Sequence, residues 1–138
     1  VARDAAVAAT TTDAGAPVDR SKQARELMDQ ASNALKEGNF EAALAQVDDS
    51  LKLRKTARAY MVRAQALQRL DRIDAALESV DLAAEMSPTY APVFDLRGRI
   101  LWAVGRKDEA RFAFEQFLAL ESDTARADAV RDLLRESP

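Results

Sequence analysis

An all-α fold made by stacking one repeated helical hairpin is what this sequence predicts, and three observations predict it. Good helix formers dominate, aromatic residues are only 6%, and the β-branched runs that mark strands are missing. From Ser21 onward the apolar residues recur at helical spacing. The segments GNFEAALAQV (38–47), DRIDAALESV (71–80) and GRKDEARFAF (105–114) align without gaps, at offsets of 33 and 34. Just upstream, LMDQASNALKE (27–37), YMVRAQALQRL (60–70) and FDLRGRILWAV (94–104) fall into the same register. Three copies of a helix, a tight turn and a second helix follow.

Residues 1–20, VARDAAVAATTTDAGAPVDR, contain no Leu, Ile, Phe, Tyr or Trp, so they bury too little to offset the entropy of ordering and are expected to form a linker. The segment has no basic region followed by an apolar core, so it is not itself a signal peptide. Its Ala/Thr/Asp/Pro composition is similar to spacers that join a membrane anchor or signal region to a folded domain in bacterial envelope and signalling proteins. On that basis an extracytoplasmic setting, periplasmic or envelope-associated, is expected, with the cytoplasm as the alternative.

The spacing then predicts helices near 21–37, 40–54, 57–70, 73–86, 90–104 and 107–120. Gly38-Asn39 and Gly105 accept the left-handed conformation that ends a helix, and Asn39, Asp74 and Asp108 place acceptors or negative charge at the start of the next. Pro88 interrupts the chain between the second and third units. A seventh helix is expected over 124–136, where Ala127, Val130, Leu133 and Leu134 share one face and suit a cap on the open end of a stack.

Composition removes most chemistry. At 138 residues the chain has length for one domain, and it contains no cysteine and no histidine. That excludes thiolate nucleophiles, imidazole bases and the zinc sites built from those ligands. The four glycines, Gly15, Gly38, Gly98 and Gly105, are too scattered for a phosphate-cradling loop. No apolar run approaches the roughly 20 residues of a membrane helix, so direct membrane insertion is not expected. A net charge of −3 gives no global pull toward nucleic acid. Asp48-Asp49 and Asp108-Glu109 are adjacent on helices and point about 100° apart, so neither forms a convergent acid/base pair. The serines sit in no nucleophile motif. The expectation is a non-enzyme with no catalytic residue, no cofactor and no metal.

The repeats resemble tetratricopeptide repeats, whose unit of about 34 residues carries W-x2-L-G-x2-Y, then A-x3-F, then P. The small residue of the first helix matches at Ala31, Ala64 and Gly98, and the large residue four before it at Leu27, Tyr60 and Phe94. In the second helix the alanine matches at Ala43, Ala76 and Ala110, with Val47, Val80 and Phe114 four residues on. The closing proline survives only as Pro88, and the leucine column holds Gln30, Arg63 and Arg97 instead. The resemblance implies a right-handed solenoid with repeats at 24–56, 57–90 and 91–122, and a capping helix at 124–136. An irregular helical bundle is the alternative. It also implies a module that binds a peptide or helix of a partner protein in a concave groove lined by the first helices.

On that reading the groove presents an apolar strip of Met28, Leu35, Met61, Val62 and Trp102, edged by Lys36, Arg58, Arg69 and Arg99. Methionine adapts to irregular apolar partners, and Trp and Arg are favoured interface anchors, so the strip suits an acidic, amphipathic segment. The other reading of Met28, Met61, Val62 and Trp102 is ordinary packing between helices. The carboxylate-clamp subset of the family needs Lys and Asn where this chain has Met28, Ser32, Val62, Pro92 and Leu96, and the match fails there. Residues 57–72 are basic and 73–87 acidic, which suits either an acidic partner or pairing between the facing helices. Self-association, or a spacer role in a larger envelope or signalling protein, is the alternative function. In one version of it the 1–20 segment of one copy fills the groove of another.

Overall fold

A computed structural model describes the chain from Pro17 to Glu136. It contains seven helices, α1 (Pro17–Lys36), α2 (Phe40–Leu53), α3 (Ala57–Arg69), α4 (Ile73–Met86), α5 (Ala91–Ala103), α6 (Lys107–Leu120) and α7 (Ala125–Glu136), and no strand among the described residues. Both ends of six helices fall within one residue of those expected, whereas residues 17–20, expected in the linker, belong to α1. A proline is compatible with a helix's first turn because no intrahelical partner awaits its missing N–H there, and Asp19 complements the positive end of the dipole. The rest of the expected linker, 1–16, lies outside the described residues.

The intra-repeat turns share one geometry. Gly38, Asp71 and Gly105 have φ of 84°, 61° and 82°. The amide after each returns to the carbonyl five residues back, Asn39 to Ala34, Arg72 to Leu67 and Arg106 to Leu101, at 2.8, 2.8 and 2.9 Å. Each turn therefore closes the preceding helix with a left-handed residue and satisfies its orphan carbonyls. The side chain of Asn39, expected to cap α2, makes no such bond. Side-chain caps occur instead between repeats, where Thr56 Oγ1 accepts from the Ala59 amide and Thr124 Oγ1 from the Ala127 amide, both at 3.1 Å.

Consecutive helices pack against one another throughout. The first helices of neighbouring repeats also touch, α1 on α3 and α3 on α5, while α2, α4 and α6 stay apart. Close spacing on one side and wide spacing on the other curves the stack, with the first helices on the concave side. The close approach depends on small residues: Ala31, Ala64 and Gly98 line the helix crossings, the two alanines fully buried. A methyl group on Gly98 would lie 2.5 Å from the ring of Phe114, so only glycine fits there.

The core grows toward the C-terminal end. One cluster runs from α3 to α7 and contains Phe114, Phe117, Leu96, Ile100 and Leu101, whereas the first repeat relies on two small clusters built from Met28, Ala31, Ala34, Ala43 and Val47. The family's leucine column, occupied here by arginine, has a polar solution. Arg63 Nε donates to Asp48 of α2 at 2.7 Å and its Nη1 to Ser79 of α4 at 2.8 Å, and Arg97 Nε donates to Asp81 at 3.2 Å. Each arginine thus ties a first helix to the second helix of the preceding repeat.

Candidate peptide-binding site

The concave side is shaped by what each first helix carries at one repeated position: Met28 in α1, Met61 in α3 and Asp95 in α5. Between α1 and α3 lies an open cleft of about 410 Å3. Ser32, Leu35 and Lys36 line it from α1, Arg58, Met61, Val62 and Gln65 from α3, and Tyr90 reaches it from the residue before α5. Val62 is buried and forms the floor, while Tyr90 is exposed at the mouth.

A second hollow of about 270 Å3 continues from it beside α1. Met28 and Ala24, both buried, are its floor, and Arg25, Arg54 and Arg58 surround it with Asp29, Ser50 and Thr56. Local structure fixes these cations. Arg54 ends α2 in an extended conformation, and the Thr56 cap sets the first turn of α3 that carries Arg58. Ser50, buried on α2, donates to the Ala24 carbonyl at 2.8 Å and holds α2 against α1 under the hollow.

The electrostatics separate this region from the rest. Arg63, Arg72, Arg97, Arg99, Arg106, Arg126, Arg131 and Arg135 all sit within 4.0 Å of a carboxylate. Arg25, Arg54, Arg58 and Lys36 have no carboxylate partner among the described residues, although Asp29 lines the same hollow. An apolar floor edged by unpaired guanidinium groups can accept an apolar side chain and a carboxylate together, because the guanidinium fork matches a carboxylate in bidentate fashion.

Of the nine residues expected in the groove, Leu35, Lys36, Arg58, Met61 and Val62 come together in the larger cleft and Met28 in the adjoining hollow. Arg69, Arg99 and Trp102 line neither. The Arg69 guanidinium stacks 4.5 Å from the centre of the Phe40 ring, at the turn end of the first repeat. Trp102 packs on Phe114, with ring centres 6.2 Å apart, and Lys107 Nζ sits 4.7 Å from its centre. Arg99 lies 3.6 Å from Asp95 one helical turn away. Tyr90 and Arg54 were not singled out from the sequence. Both lie in inter-repeat connections, and their only sequence signal is an apolar or basic residue beside a helix end, which periodicity does not interpret.

Asp95 explains why the third repeat contributes little to the cleft. Arg126 of α7 reaches across and grips both its carboxylate oxygens, at 2.6 to 3.1 Å, so this concave position of the third repeat is already engaged by the capping helix.

Residues 28–91 and 91–124 each match a family model of the tetratricopeptide repeat. A TPR repeat-containing protein of Methanocaldococcus jannaschii is 35% identical over 75 residues, which are 54% of this chain and 24% of that protein. The chain therefore spans about a quarter of the length of that relative. Among solved structures, the first TPR of Spaghetti bound to the HSP90 peptide SRMEEVD superposes with a TM-score of 0.74 at 22% identity, covering 84% of this chain and 94% of that one. PcrH in complex with the chaperone binding region of PopB gives a TM-score of 0.71 at 18% identity, covering 83% and 94%. With both family models together spanning most of the described helices, the chain belongs to the tetratricopeptide repeat family.

Proposed function

We propose that this chain is a non-catalytic protein-interaction module that holds a short segment of a partner protein in the concave cleft between α1 and α3. The segment would set apolar side chains over Met61, Val62 and Leu35 and acidic groups against Arg58, Lys36, Arg25 and Arg54. The observation that carries the reading is the collection of unpaired cations around an open apolar floor, where eight other arginines among the described residues sit beside a carboxylate. Support comes from the solved relatives, which hold an HSP90 peptide and a region of PopB. Acidic groups at the rim would steer association and fix orientation, with the apolar floor supplying the desolvated contact.

The test is selection from a randomised peptide library on the immobilised domain, followed by titration of the enriched peptides. We expect enriched sequences to pair large apolar residues with Asp or Glu. Met61→Asp and Arg58→Glu should each weaken binding by about tenfold or more, while Arg99→Ala leaves it unchanged. Enrichment of peptides that bind all three variants equally would overturn the reading.

A further inference from the structure

The convex side carries a recess of its own. Phe112, at 60%, has the highest exposure among the large apolar side chains of the described residues. It stands in a recess of about 540 Å3 between α4 and α6, which do not touch each other. Phe94 and Arg97 of α5 also line this space, Asp81 and Ala84 face it from α4, and Asp108 joins Phe112 from α6. One repeat earlier the position of Phe112 is held by Glu78.

Its surroundings are acidic. Helix α4 carries four carboxylates and no Lys or Arg, and α6 carries three carboxylates against two cations. Asp81 is tied to Arg97 and Glu109 to Arg106, but Asp108, Glu78, Glu85 and Glu115 have no cationic partner among the described residues. Three carboxylates, Asp81, Asp108 and Glu109, line the recess against one cation, Arg97, and Asp108 is unpaired, so the exposed phenyl ring is complementary to a surface that is apolar in the middle and basic at the edges. We propose that the α4–α6 recess docks a basic amphipathic helix of a partner protein, seating an apolar side chain against Phe112 and Lys or Arg side chains against Asp108 and the α4 carboxylates. This convex site shares no residue with the concave cleft, so one module would join two partners of opposite charge.

The probe is a fluorescein-labelled helical peptide of about four turns with Leu along one face and Lys along the others, titrated by anisotropy. Phe112→Ser and Asp108→Lys should each weaken binding about tenfold, with affinity falling as salt rises. Met61→Asp should bind as wild type does, and amide shifts should map to 81–84 and 108–116. Phe112 is exposed, so its replacement leaves the core intact. Equal affinity of Phe112→Ser, equal binding of a peptide with Glu in place of Lys, or shifts confined to 58–65 would overturn the proposal. So would light scattering that shows a dimer converted to monomer by Phe112→Ser, since a second copy would then be what covers the recess.

Discussion

The first and third repeats are built on one pattern and solve opposite problems. In the third, the concave carboxylate of Asp95 is gripped by Arg126 of the capping helix, and the core behind it holds Phe114 and Phe117. In the first, the same concave position is Met28, the surrounding arginines are unpaired, and the core behind it is Ala31, Val47 and a buried serine. The difference teaches that repeats of one fold can divide labour: the C-terminal end supplies packing and closure, and the N-terminal end keeps an accessible surface. A residue needed for internal pairing is not available for a partner.

Substitutions can break or sharpen that contrast. The largest effect is expected from Phe114→Ala, which empties the centre of the main cluster and should cost about 3–5 kcal/mol in urea unfolding, whereas the equivalent Val47→Ala in the first repeat should cost about 2 kcal/mol. Equal costs would mean that the core is evenly distributed after all. Next is Gly98→Ala, whose new methyl would overlap the Phe114 ring; it should destabilise by about 1–3 kcal/mol. Combining it with Phe114→Leu should cost less than the sum of the two, because the smaller side chain makes room, and strict additivity would show that the ring is not the obstacle.

A smaller effect separates the two concave ends. Arg126→Ala leaves the buried Asp95 with only the longer Arg99 contact and should cost about 1–2 kcal/mol, while Arg58→Ala should leave thermal unfolding within about 0.5 kcal/mol of wild type. A large loss of stability in Arg58→Ala would return that arginine to a structural role. The smallest effect concerns surface charge. A side-chain hydrogen bond from Arg106 lowers the Glu109 pKa below the ordinary carboxylate value and raises that of Arg106. Because the carboxyl is depressed in the folded state, the pair stabilises above the ordinary Glu range, and the contribution disappears as pH falls through the lowered value. On a fully exposed surface this is slight, so Glu109→Gln should leave the melting curve at pH 7 nearly unchanged and flatten its acid limb.

The sequence alone went far on the fold because periodicity and repetition are local properties. Offsets of 33 and 34, the small residues Ala31, Ala64 and Gly98, and the turn residues Gly38 and Gly105 set the number, order and register of the hairpins, while the left-handed turn at Asp71 emerged only in the structure. It also placed six of nine groove candidates around the concave openings, since position in the repeat determines which way a helical side chain points. Whether a side chain that points inward remains available was a different matter. Trp102, Arg69 and Arg99 have intramolecular partners on other helices or one turn away, and no repeat register names those partners. Tyr90 and Arg54 enter the site from inter-repeat connections, and Arg126 arrives 31 residues after the carboxylate it grips. Pairing between charges depends on distances across the stack, which only the packed helices set. The sequence therefore determined the repeat and the direction of its side chains, and the tertiary structure decided which of them are already engaged and which stand free.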